Sequence, residues 1–204
     1  MTQIASTNNT PLIILAAGRS NRMGFAKGLL PYQDKFLLEH QLATFFECGG
    51  REVLLVVGHR PQDYTRQPFV KHYVVNQQLT IVTNHNYQQG PLSSLQAGLG
   101  QLLALKRGSG VIMLPVDVPL PNTMKLSNLI RPDKSVVIPT YQERGGHPIY
   151  LGESFCQQLI TFDTSGPNAR LDYLIRQLPT EQVLRVPVEY PEVRFNLNEP
   201  SNSN

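Results

Sequence analysis

Apolar residues in this chain come in short unbroken runs that alternate with stretches of helical spacing. The run at 12–17, Leu-Ile-Ile-Leu-Ala-Ala, is too short for a helix and too continuous for a half-exposed strand. It predicts a strand buried on both faces. Residues 35–50 put Leu37, Leu38, Leu42, Phe45 and Phe46 on one helical face and stop at Gly49-Gly50, which suits a C-terminal cap. A second buried strand is predicted at 52–58, with shorter strands at 71–76 and 81–84. A helix over 92–105 follows Gly90-Pro91, and the apolar run at 110–121 predicts a central strand that ends in one carboxylate, Asp117. The pattern beyond it predicts a short helix at 124–130, strands at 135–139 and 146–151, and helices near 153–160 and 167–177. A strand pair at 182–188 and 193–198 closes the chain.

Strands alternating with helices imply an α/β fold with a mostly parallel sheet covered by helices. No repeat, linker or second apolar centre interrupts the 204 residues, so one domain over 1–204 is expected, with 1–10 and 199–204 loosely held. The formal charge of +3 is small and scattered, with no basic stripe interleaved with aromatics. That argues against a nucleic-acid partner and suits a small polyanion. The polar start and the short first apolar run offer no signal peptide or membrane span, which predicts a cytoplasmic protein. Cys48 and Cys156, far apart in apolar surroundings, are expected as reduced core thiols.

Open α/β sheets collect ligands at the carboxyl ends of their strands, and the unusual residues fall there. Gly18 follows the first strand, and Arg19, Arg22, Gly24 and Lys27 come within ten residues of it. Glycines let backbone amides approach a ligand, and arginine grips phosphate oxygens with two donors. Any one of these cations would pass for a solvated turn residue; the cluster points to a polyphosphate. It is neither a Walker A loop nor a Gly-x-Gly-x-x-Gly fingerprint. Asp117 needs a cation or donors at the end of an apolar run. It is either a cap for the next turn or, beside a triphosphate, a ligand for Mg²⁺.

The stretch LAAGRSNRMGFAKGLLP (15–31) resembles the signature loop of the MobA-like nucleotidyltransferases. In order along the chain, GPLSSLQAGL (90–99), LPVDVPLP (114–121), RGGHPIYL (144–151) and SGPNARLDYLI (165–175) are similar to further segments of that family. The resemblance is strongest to its molybdenum cofactor cytidylyltransferase branch. It implies a three-layer Rossmann-like nucleotidyltransferase fold. It also implies Mg²⁺-dependent transfer of a nucleotidyl group, from CTP ahead of GTP, to a phosphorylated acceptor such as molybdopterin, with release of pyrophosphate. By the same resemblance, Leu15, Ala16, Ala17, Gly18, Arg19, Ser20, Arg22, Lys27, Gly90, Ser93 and Ser94 hold the nucleotide. Lys27, Arg22 and Asp117 carry catalysis, Asp117 and Asn198 take the metal, and His147 and Arg170 meet the acceptor. Product handover to a molybdoenzyme or its maturation factor would follow. The chain departs from the cytidylyl pattern at NLNEP, where Asn196 and Asn198 stand in place of aspartates, and at Val118. Another phosphorylated acceptor, such as a sugar phosphate, and a non-catalytic nucleotide-binding or chaperone-like module are the alternatives.

Overall fold

The computed structural model describes residues 9–19, 25–105, 110–122 and 124–197. Strands β1 (Leu12–Ala16), β4 (Val53–Val57), β5 (Leu79–Thr83) and β6 (Val111–Pro115) run parallel. Between them lie a two-stranded hairpin, β2 (Pro31–Tyr32) and β3 (Lys35–Phe36), and helices α1 (Leu37–Glu47), α2 (Gln62–Thr65), α3 (Pro68–Val75) and α4 (Pro91–Ala104). The chain continues through β7 (Val136–Tyr141), β8 (Arg144–Gly145), β9 (Ile149–Leu151), α5 (Glu153–Thr161), α6 (Leu171–Arg176) and β10 (Val183–Pro187).

The sheet order is β10-β7-β9-β6-β1-β4-β5, with β8 paired on β7. β9 runs antiparallel to both neighbours, while β7 and β10 keep the direction of β6. Within the sheet, a single seam therefore joins the strands of 12–115 to those of 136–187: the three pairs Val111–Leu151, Ile112–Tyr150 and Met113–Ile149.

Side chains on β1 alternate between two cores, which makes three layers. Leu12, Ile14 and Ala16 pack with Leu38, Leu42 and Phe45 of α1 on one face. Ile13 packs with Leu95 and Leu99 of α4 and with Phe155 and Leu159 of α5 on the other. The expected stop of α1 is a Schellman turn: Gly49, at φ 84°, donates to Phe46 O, and Gly50 donates to Phe45 O. Both cysteines are free; Cys156 is buried and Cys48 half-buried. No helix among the described residues is long and apolar enough to cross a membrane.

Several expectations need correction. Residues 71–75 are helical and Asn76 caps the helix, because β4 and β5 pair in parallel and their connection must carry a crossover. Pro68 opens that helix, and Val70 and Tyr73 fall on its inner face. Of the strand expected at 193–198, the described residues 193–197 form none: Pro191 starts a 3₁₀ turn over Pro191–Arg194 that buries Val193. Residues 124–130 hold only a 3₁₀ turn at Leu126–Asn128, and the strand at 110–121 stops at Pro115.

α1 also has a polar side, and it reaches the loop after β6. His40 Nε2 lies 2.9 Å from Leu120 O. Gln41 Nε2 donates to Pro115 O and Val118 O, and Thr44 Oγ1 donates to Asn122 Oδ1. Most buried polar groups are paired, as these donors are, so three α1 side chains fix the loop that carries Asp117, although Gln41 Oε1 has no partner among the described residues.

Candidate active site

The carboxyl ends of β1 and β6 open into one cleft of about 920 Å³. Its lining residues fall in two groups along the sequence, the first between Leu15 and Asp117 and the second between Ile138 and Arg185. Of the residues expected to hold a nucleotide, Leu15, Ala16, Ala17, Gly18, Arg19, Lys27, Gly90 and Ser94 line it. Ser20, Arg22, Gly24 and Asn198 lie outside the described residues.

Lys27 Nζ meets Asp117 Oδ2 at 2.9 Å, with side-chain exposures of 27% and 16%. This is a largely desolvated pair, so each charge offsets the other's loss of water. The metal-ligand candidate is thus held by the very cation expected to grip phosphate. Leu197 N–H donates to Asp117 O at 2.9 Å, tying the chain just before Asn198 to the same loop. Among the described residues, no group of three His, Cys, Asp or Glu converges into a metal site. Mg²⁺ usually binds through one or two carboxylates plus substrate phosphates, so a single carboxylate on a cleft wall fits an ion that arrives with a triphosphate.

α4 points its N-terminus into the cleft. Gly90, at φ +95°, makes the turn before Pro91. The helix N-terminus exposes unpaired amides and a positive dipole end, which favour an anion. Buried Asn84, which sequence patterning missed, organises this corner: Nδ2 donates to Ser93 Oγ and Ser94 Oγ, and Oδ1 accepts from Asn86 N–H. Ser93 Oγ is used up on Asn86 O and Gly90 O, and the structure does not bring it to the cleft wall. Ser94 does reach that wall. The Arg19 guanidinium lies 5.8 Å from the Tyr87 ring centroid, in cation–π range.

On the other side, Gly146 packs against Val193: a Cβ there would lie 2.3 Å from the Val193 carbonyl oxygen. That close approach sets His147, whose N–H donates to the same carbonyl. His147 lines the cleft, yet its Nδ1 is sealed from solvent and has no hydrogen-bond partner among the described residues. Burial pushes its pKa down to about 4, partly opposed by the nearby Asp117 carboxylate. The imidazole is therefore neutral at pH 7.

A stability consequence follows from that shift. Between pH 6.5 and 4 the unfolded chain binds the proton and the native site does not. The neutral histidine's contribution is complete above pH 6.5 and is lost as pH falls toward 4, by roughly 3 kcal/mol in all. Denaturant midpoints at pH 7 and pH 5 should show that loss in the wild type and much less of it in His147→Gln. An unchanged dependence in the variant would remove His147 as its source.

Arg170 also lines the cleft, gripping Asp172 with two donors at 3.0 Å each while remaining largely exposed. Sequence reasoning missed Tyr64, Tyr87 and Arg185 on the lining. Only Arg185 carried a usable signal, since it shares with Val183 the alternate positions of one strand.

The family model for the MobA-like NTP transferase domain matches residues 12–182. A molybdenum cofactor guanylyltransferase from Xanthomonas euvesicatoria is 29% identical over 123 residues, covering 60% of this chain and 54% of that protein. The molybdenum cofactor cytidylyltransferase of Escherichia coli is 28% identical over 152 residues, 72% of each chain. Several curated relatives are matched over only a quarter to about half of their length. Among solved structures, 4-diphosphocytidyl-2C-methyl-D-erythritol synthase from Anaerococcus prevotii superposes with a TM-score of 0.72 at 13% identity, over 99% of this chain and 96% of that one. That likeness shows the fold and confirms the three-layer nucleotidyltransferase architecture. With the model spanning most of the chain and both ends of the Lys27–Asp117 pair, this protein belongs to the MobA-like NTP transferase domain family.

Proposed function

We propose that the cleft binds a nucleoside triphosphate along the loop after β1 and the N-terminus of α4, and transfers its nucleotidyl group to a phosphorylated acceptor. The observation that carries this reading is the Lys27–Asp117 pair on the cleft wall, inside the segment that the family model matches. An oxygen of the acceptor phosphate attacks the α-phosphorus. The bond to the bridging oxygen breaks, and pyrophosphate leaves with that bond's electron pair.

Two anions must meet in this reaction, so the chain's work is positioning and charge neutralisation. Arg19, Arg22 and Ser20, with Gly18 and the α4 amides, would hold the triphosphate. Lys27 would turn from Asp117 to the phosphates and follow the charge that builds on the departing group. Asp117, with Asn198, would hold Mg²⁺, which supplies charge neutralisation at the phosphate oxygens when bound. The acceptor phosphate is already ionised at neutral pH and needs no general base. Neutral His147 has one N–H to donate to it, and Arg170 lies on the same side of the cleft.

The cytidylyl-like motifs favour CTP, with GTP next; the curated relatives include both guanylyl- and cytidylyltransferases. The acceptor most consistent with the relatives' names is molybdopterin or the molybdenum cofactor. Handover of the product to a molybdoenzyme or its maturation factor would complete this reading. Pyrophosphate release measured with CTP and GTP in parallel, each with Mg²⁺ and molybdopterin, tests it. Release with CTP is expected, and much less with GTP. A folded protein that binds CTP but releases nothing with either nucleotide would overturn the molybdopterin reading.

A further inference from the structure

Four cationic side chains among the described residues line the cleft, and most have partners. Lys27 pairs with Asp117, Arg170 pairs with Asp172, and Arg19 lies over Tyr87. Arg185, on β10, is exposed and lines the cleft with no ion-pair or hydrogen-bond partner among the described residues. An unpaired guanidinium on a rigid strand is a ready donor of two parallel hydrogen bonds.

Register fixes where it stands. Arg185 lies opposite Ile138 on β7, and Met113 on β6 lies opposite Ile149 on β9. Continuing the β7–β9 pairing past Val137–Tyr150 brings Ile138 beside Ile149. The four residues form one row across the sheet, all on the cleft lining. Three strand spacings separate β6 from β10, about 14 Å, and four separate β1 from β10, about 19 Å. Arg185 is therefore too remote to serve the phosphates gripped beside β1. Between it and Asp117 lies an apolar floor, Met113, Ile149 and Ile138, and Leu171 and Ile175 of α6 line the same space.

We propose that Arg185 is the specificity-determining anchor for the far end of the acceptor. The acceptor's phosphate lies by Asp117 and His147, its flat ring body covers the apolar row, and a carbonyl or anionic group at its other end accepts from the guanidinium. This rests on the nucleotidyl-transfer reading above, and it selects a long, ring-bearing phosphate ester over a compact one.

The test titrates molybdopterin, as the long flat probe, and glucose 1-phosphate, as the compact one, against wild type, Arg185→Met and Arg185→Lys. CTP is titrated in parallel. Arg185→Met should weaken molybdopterin binding about tenfold or more, as expected for a lost charged hydrogen bond, with partial recovery in Arg185→Lys. CTP affinity should stay unchanged, and in turnover the loss should appear in KM for the acceptor ahead of kcat. Equal molybdopterin affinity in all three proteins would overturn the assignment, as would wild type that fails to bind molybdopterin or prefers glucose 1-phosphate. Arg185-dependent binding without any pyrophosphate release would instead sink nucleotidyl transfer and leave the anchor standing.

Discussion

Asp117→Asn should lower Mg²⁺-dependent pyrophosphate release by about 10³-fold or more while leaving the protein folded. The substitution keeps the shape of the side chain and removes only its charge. Asn Oδ1 can still accept from Lys27, which now sits 2.9 Å from the carboxylate. The pair is largely desolvated, so losing the charge while keeping the hydrogen-bond acceptor should cost about 1–3 kcal/mol. Turnover and thermal melting measured on the same sample separate the two effects. Mn²⁺ uptake in the presence of CTP should fall in step with turnover. A variant with full activity would remove Asp117 from the reaction.

Lys27→Met carries the second large effect, with two readouts of opposite sign. Methionine retains the apolar stem and loses the ammonium, so turnover should fall by about 10²–10³-fold, the usual cost of removing one preorganised electrostatic donor. In the nucleotide-free protein the same change strips Asp117 of its counter-charge. Mn²⁺ should then bind the free variant more tightly than it binds the wild type, although catalysis is poorer. Tighter metal binding with lost turnover is the signature of a cation that shields the carboxylate until phosphates draw it away. A double variant with Asp117→Asn should lose little beyond the worse single change, because the two groups act as a unit. Additive losses would mean that they act separately.

The buried strands were legible because both faces of a parallel strand are covered. Continuous runs such as those at β1, β4 and β6 have few other readings at that length. α1 and α4 were equally plain from their apolar stripes. α3 was not: Val74 and Val75 point outward, so the inner face offers too few apolar positions to outweigh β-branched residues. The nucleotide side of the cleft was legible because one contiguous loop carries its glycines and cations. The acceptor side was not, since Arg185, Ile138 and Ile149 become neighbours only through strand order and register. Asn84 and the polar side of α1 escaped for a related reason. A buried amide has no periodicity of its own, and its role exists only through the loops it ties.

The narrow seam between β6 and β9 has a consequence for how such a protein can change over time. Every lining residue before it belongs to one stretch of chain, and every lining residue after it to another. A single recombination event between Asp117 and Ser135 would exchange the whole wall carrying His147, Arg170 and Arg185 at once. The wall carrying Lys27, Asp117 and the α4 N-terminus would come through intact. Three backbone pairs would have to match across the new sheet boundary, together with the contacts of α5 on α4, the Leu197 N–H bond to Asp117 O and, for a cut close to Asp117, the α1 side-chain bonds to the loop after β6. Chimeras cut at that point are the natural way to pass one acceptor preference among relatives without rebuilding the nucleotide half.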